Sequence, residues 1–156
     1  MRVALIGSQD FGKAALEAFL ERGDEIVAVF CPPDNPKATK PEILKETALA
    51  RGLNMLQFPS LKGPEAAQAM RDSKADICVM AYVLQFVPQD LVKIPRFGTI
   101  QYHPSLLPKY RGPSAIGWSI ALGETKTGLT IFVLLMAWMR AKLFCKKRLP
   151  SGPMTL

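Results

Sequence analysis

RVALIGSQDFGKAALEAFLERGDEIVAVFC, residues 2–31, decides the fold class. Val3-Ala4-Leu5-Ile6 is a short, wholly apolar run stopped by Gly7, the pattern of a strand buried on both faces of a parallel sheet. From Phe11 to Arg22 the apolar residues Ala14, Ala15, Ala18 and Phe19 predict one face of a helix, and Gly23 supplies a stop. Glu25 to Cys31 is a second apolar strand, closed by Pro32-Pro33. Strand, helix and strand in succession predict a parallel pair joined by a right-handed crossover.

The pattern continues outward. Asp34 to Lys40 is polar and contains proline, so it reads as a loop. Pro41 opens a helix over Glu42 to Arg51 that stops at Gly52. Asn54 to Phe58 predicts a short strand, and Pro64 starts a helix reaching about Asp72. Further strands are expected at Asp76–Met80, Gly98–Gln101 and Gly128–Phe132, with a helix over Pro113–Leu122 ending at Gly123. The expected fold is α/β: a Rossmann-like, doubly wound, mostly parallel sheet, incomplete at its carboxyl end. Ligands in such sheets bind beyond the carboxyl ends of strands, so Gly7, Asp34, Ala81–Val87 and Gln101–Gly112 are expected along one edge.

At 156 residues the chain has the length of one domain and can bury a core. The net charge of +7 is unevenly placed. Five of the 20 basic residues (Arg140, Lys142, Lys146, Lys147, Arg148) fall in residues 133–156, which contain no acid, leaving a net of +2 for residues 1–132. Basicity therefore belongs to the tail and is no argument that the domain binds nucleic acid. Cys31, Cys78 and Cys145 are widely spaced and form neither a metal-ligand pattern nor an even disulfide set. The amino terminus is too short in apolar residues for a signal peptide, so a cytoplasmic protein is expected.

Two loops invite chemistry. Gly7-Ser8-Gln9-Asp10-Phe11-Gly12 has Gln9 where a dinucleotide site needs its middle glycine, and lacks the Lys-Ser/Thr ending of a phosphate loop. It is a tight strand-to-helix turn or, as the open alternative, a phosphate or dinucleotide site. GTIQYHPSLLPKYRG, residues 98–112, holds the only histidine, His103, at the end of an expected strand. A lone histidine is commonly structural, but that edge is where α/β sheets keep their chemistry. Ser105 lacks a G-x-S-x-G elbow, and Pro104 and Pro108 stiffen the loop around it. Lys109 and Arg111 are either contacts for an anionic substrate or solvated charges.

HPSLLPKYRG, together with the start RVALIGSQDFG, AYVLQFVP at 81–88 and GETKTGLTIF at 123–132, resembles the folate-dependent formyltransferases. That family includes methionyl-tRNA formyltransferase, the 10-formyltetrahydrofolate hydrolases and dehydrogenases, and glycinamide ribonucleotide formyltransferase. The resemblance covers residues 1–132, and its QYHPSLLP and YRG forms sit closer to the tRNA-formylating and hydrolase branches. It implies that a formyl group leaves N10 of 10-formyltetrahydrofolate through a tetrahedral intermediate formed by an amine or by water. It implies His103 as the acid/base, with Gln101 standing where the family has an Asn amide. It further implies that Gln85, Phe86 and Val87, with Ser105, Leu106, Leu107 and Pro108, cradle the folate, largely through backbone groups, with no metal. Folate and, through a domain absent here, initiator methionyl-tRNA are the implied partners, without a membrane. A 10-formyltetrahydrofolate hydrolase is the rival reading, and a non-catalytic folate-binding fragment another.

The family pattern requires an Asp after the TGLTIF strand to orient the His. The resemblance implies that this Asp stands about 36 residues after the His, where this chain has Met139, and no Asp or Glu occurs after Glu124. Reading the codons two bases on changes the picture. Met136 into Ala137 then forces Gly, Trp138 into Met139 forces Asp, and Phe144 into Cys145 forces Leu, while the codons from Leu135 to Ala141 permit a family-like D-G-L-D-E-G. Residues 133–156 are therefore expected to be an out-of-frame tail, and the chain to be impaired in catalysis. The near-apolar run Leu129–Met139 is well short of the roughly 20 residues that a membrane span requires.

Overall fold

The computed structural model describes residues 1–134 and 142–150, the latter by backbone except at Lys147, Arg148 and Leu149. Contacts divide the chain into two compact units, residues 1–100 and 101–156. The first contains β1 (Arg2–Gly7), α1 (Gln9–Glu21), β2 (Glu25–Cys31), α2 (Ile43–Ala50), β3 (Met55–Gln57), α3 (Pro64–Ser73), β4 (Ile77–Ala81) and α4 (Gln89–Val92). The strand β5 (Thr99–His103) crosses the division, and α5 (Ala115–Ala121), β6 (Lys126–Val133) and β7 (Lys142–Pro150) follow. The strand order is β3-β2-β1-β4-β5-β6-β7.

The first unit is the Rossmann-like part. β1 is flanked in parallel by β2 and β4, and β2 by β3. The chain winds outward from β1 to β3 and then returns to β1's other side at β4, which makes the β1/β4 boundary the switch point of the fold. Val3 and Leu5 register with Ile26 and Val29 on one neighbour and with Ile77 and Val79 on the other. Val3, Leu5, Leu16, Val29 and Leu44 are fully buried in one cluster. Each such side chain stabilises the unit by about 1.5–3 kcal/mol relative to exposure.

The sequence reading of β1 and β2 holds, but two helices differ from it. α1 buries Gly12 and Leu16, with Ala15, Phe19 and Leu20 packed alongside, while Ala14 and Ala18 face solvent. Burying Leu16 and Leu20 removes more apolar area from water than burying two methyl groups, so the larger side chains set the rotation of the helix. α2 begins at Ile43 because Glu42 is its N-cap, the carboxylate accepting the Leu44 N–H. The single-turn α4 is too short for a periodic pattern to announce it. It buries Leu91 and Val92 and is tied by the Thr99 hydroxyl donating to the Val92 carbonyl at 2.8 Å.

In the second unit β5 runs on to His103, two residues beyond the expected end. α5 buries Ala115 and Ser119 and exposes Ile116, Trp118 and Ile120, and Leu122 just after it is also exposed. β6 and β7 pair antiparallel, Ile131 opposite Cys145 and Thr130 opposite Lys146. β7 lies within the segment read as out of frame, where the sequence pattern predicts no strand. A ladder is made by backbone groups, so a chain of unsuitable composition can still complete one. The Asp-interval position Met139 lies outside the described residues. Among the described residues, no helix is long and apolar enough to cross a membrane.

Candidate functional site

His103 closes β5. Gln101 precedes it by two residues, so a strand's period puts the amide and the imidazole on one face. His103 is half-buried, and its Nε2 lies 2.8 Å from the Tyr110 carbonyl. A carbonyl can only accept, so Nε2 carries the hydrogen. In the neutral ring that leaves Nδ1 as the lone-pair nitrogen, the one able to take a proton.

Residues 104–110 fold back to bring that carbonyl into place. The Ser105 N–H donates to the His103 carbonyl at 2.9 Å, and its hydroxyl donates to the Lys109 carbonyl at 2.7 Å. Buried Thr130 on β6 fastens the loop from beneath. Its hydroxyl donates to the Ser105 carbonyl at 2.7 Å and accepts from the Leu107 N–H at 3.1 Å. Ser105 is fully buried, and its groups serve the loop itself. The Leu107–Pro108 peptide is cis. Tyr110 sits at φ +52°, in the left-handed region that bulky residues enter at a cost.

Glu124, just before β6, anchors the far end of the loop. One carboxylate oxygen accepts from the Tyr110 hydroxyl at 2.5 Å and from the Lys109 ammonium at 3.0 Å. These two bonds hold the Glu124 carboxyl below its ordinary value, the phenol contributing most, and the same carboxylate raises the Tyr110 phenol and the Lys109 ammonium. An open cleft of about 570 Å³ is lined by Leu106, Leu107, Tyr110, Glu124, Lys126 and Arg148, among others. His103 and Gln101 are not among its lining residues.

The first-unit residues named from the sequence have contacts within their own unit. The Gln85 amide donates to the Phe58 carbonyl at 3.1 Å. Phe86 is largely exposed, with the Lys62 ammonium 4.8 Å from its ring centre. Val87 is half-buried.

The glycine-bounded first loop is a packing turn closed by a carboxylate. A Cβ at Gly7 would stand 2.6 Å from the Ala81 carbonyl, and one at Gly12 would stand 2.8 Å from the Leu44 side chain. Glu42 accepts from the Ser8 hydroxyl at 2.6 Å, the Gln9 N–H at 2.5 Å and the Gln9 amide at 2.9 Å. The Gln9 N–H, one of the donors a phosphate would need at the start of α1, is thus already matched to an anion. Burial pushes the Cys31 and Cys78 thiols up to about 12, so both act as small apolar side chains. Among the described residues, no group of three or more His, Cys, Asp or Glu side chains is placed to hold a metal ion.

His103 and Gln101 stand out in the sequence, whereas Tyr110, Glu124 and Thr130, which hold the loop, do not. The one signal for them is that Glu124 is the single acidic residue in residues 101–156.

Comparison with known proteins agrees with this architecture. The formyl transferase family matches residues 1–137. A methionyl-tRNA formyltransferase of Myxococcus xanthus is 36% identical over 157 residues, covering 97% of this chain and 50% of that protein. The mitochondrial 10-formyltetrahydrofolate dehydrogenase of Mus musculus is 38% identical over 137 residues, covering 85% of this chain and 15% of that protein. The crystal structure of phosphoribosylglycinamide formyltransferase from Bacillus halodurans superposes with a TM-score of 0.79 at 20% identity, over 100% of this chain and 83% of that one, a likeness of fold. The chain spans about half the length of the curated methionyl-tRNA formyltransferases it matches.

Proposed function

Because the chain belongs to the formyl transferase family, we propose that it carries the amino-terminal part of a cytoplasmic enzyme that moves a formyl group from 10-formyltetrahydrofolate to an amine. The acceptor favoured by the relatives is the amino group of methionyl-tRNA. One observation supports the site assignment most: the sole imidazole ends β5, with Nε2 held by a backbone carbonyl and the Gln101 amide on the same strand face.

The chemistry follows from those groups. The acceptor nitrogen forms a bond to the formyl carbon, whose oxygen takes up negative charge. The bond from that carbon to N10 then breaks, and the proton lost by the acceptor nitrogen goes to N10. His103 Nδ1 is the group that receives and returns this proton, and the Gln101 amide donates to the developing oxyanion. Folate contacts are proposed for Gln85, Phe86 and Val87 and for Leu106, Leu107 and Pro108, with Ser105 holding its loop from within.

Residues from about 133 onward are proposed to be out of frame, which removes the Asp that the family uses to orient the His. Sequencing the gene through the Phe132 codon tests this; absence of an Asp-containing frame downstream would refute it. Transfer assays on this chain and on the frame-restored protein test the activity. The restored protein should form formyl-methionyl-tRNA, and its His103→Ala variant should lose roughly 10²–10⁴-fold in kcat, the usual weight of acid–base catalysis. The present chain should turn over weakly. Normal turnover by the His103→Ala variant would overturn the assignment. Gln101 and the dehydrogenase relative favour a second reading, transfer to water, which the same assay detects as formate release.

A further inference from the structure

The second unit has one acidic side chain, and it reaches the histidine indirectly. Glu124 accepts from the Tyr110 hydroxyl, and the backbone carbonyl of the same Tyr110 accepts from His103 Nε2. We propose that Glu124 is a positioning residue for His103, acting through Tyr110. This rests on His103 being the proton-handling group, although the geometry itself can be read without turnover.

A tyrosine at φ +52° has left the conformations it prefers, and such a residue persists only where its surroundings over-determine it. Gly112 and Ser114 also have positive φ, at +90° and +60°, so the segment beyond Tyr110 is not a regular element that would hold it in place. Two attachments flank the strained residue: the Ser105 hydroxyl on the Lys109 carbonyl, and Glu124 on the Tyr110 ring. The Ser105 bond fixes the peptide before Tyr110. Only the Glu124 bond holds the Tyr110 side chain among the interactions described. If it is removed, the ring is free to turn outward, the backbone relaxes toward negative φ, and the carbonyl swings off Nε2.

Ion pairing with Lys109 is the simpler account of Glu124, but it explains less. The Lys109 side chain is 66% exposed, where such a pair contributes little. The phenol bond is shorter, and it leads to the one residue whose carbonyl meets the imidazole. Holding Nε2–H fixes the tautomer, and therefore which nitrogen is left to take a proton.

Because the chain has one histidine, its ring signals in nitrogen-15 NMR need no assignment. In mildly alkaline buffer the unaltered chain should show a solvent-protected Nε2–H. Tyr110→Phe, which removes one oxygen and keeps the ring, and Glu124→Ala should each speed exchange of that proton at least tenfold. Lys109→Met, which takes only the solvent-side partner, should keep it protected. An unprotected ring in the unaltered chain, unchanged protection in Tyr110→Phe and Glu124→Ala, or loss in Lys109→Met as large as in Tyr110→Phe would each overturn the proposal. The role of His103 in transfer is judged separately by His103→Ala turnover, so the two failures are distinguishable.

Discussion

Among the described residues, the two units of this chain differ in their buried side chains. Residues 1–100 are built on apolar burial: Phe30, Leu5, Leu16, Leu44, Met70, Leu91, Val3 and Val29 are all fully buried. Beyond residue 100, the one large, fully buried side chain among the described residues is Thr130, and its hydroxyl is a strut for the His103 loop. α5 and its C-cap meanwhile leave Ile116, Trp118, Ile120 and Leu122 exposed. Apolar packing is non-directional and tolerates a shift, whereas a hydrogen bond sets distance and angle. The loop that carries the Tyr110 carbonyl to His103 is held by the second kind of contact.

Substitutions can break this contrast. Leu5→Ala, in the centre of the first unit, should cost about 3 kcal/mol, the usual range for a large-to-small core change, read as a lower denaturant midpoint. A cost near zero would show that the first unit does not depend on that core. Thr130→Val keeps shape and removes the hydroxyl that serves the Ser105 carbonyl and the Leu107 N–H, and should cost about 1–3 kcal/mol. Its amide exchange should rise at residues 105–110 and stay unchanged at β1 and β2; a uniform rise would mean that Thr130 is an ordinary core residue. Glu42→Ala should cost about 1–2 kcal/mol, because the fully buried Ser8 loses its hydrogen-bond acceptor. An unchanged melting temperature would show that the first loop closes without its carboxylate.

Acid should act on the second unit with a smaller effect. The Glu124 carboxyl is depressed in the folded chain from an ordinary value of 4.5. Its contribution is therefore fully present above that value and is lost as pH falls through the lower folded value. Amide protection relative to the intrinsic exchange rate at residues 105–112 should fall in that acidic window in the unaltered chain and not in Glu124→Gln. An equal fall in both would show that Glu124 does not hold the loop. The smallest effect is expected at the thiols. With Cys31 and Cys78 at about 12, peptide mapping after mild alkylation near neutral pH should find both unmodified in the native chain and modified after denaturation. Rapid native modification of either would mean that the first unit opens readily.

Parts of this organisation are legible in the order of the residues. The bounds of β2 match the run Glu25–Cys31, because an apolar strand between a glycine-aspartate turn and two prolines has few alternatives. The buried face of α1 differs from the one its pattern suggests, since a count of apolar residues does not weigh alanine against leucine. α4 and β7 escape the pattern for opposite reasons: one is a single turn with no period, and the other is a strand whose partner supplies the pattern that its own composition lacks. His103 is visible through its uniqueness and its place after a strand. Tyr110, Glu124 and Thr130 are not, because their partners lie 7, 14 and 25 residues away in sequence.

By itself the sequence determined the alternation of strands and helices, the family, and the histidine in its proline-bracketed loop, because each of these is written in neighbouring residues. Tertiary structure alone decided that Glu42 closes the first loop, that Nε2 is the nitrogen bearing hydrogen, and that the last acidic side chain reaches the imidazole through a tyrosine. Hydrogen bonds have direction and join residues far apart along the chain, so a one-dimensional pattern carries the composition of such a site but not its wiring.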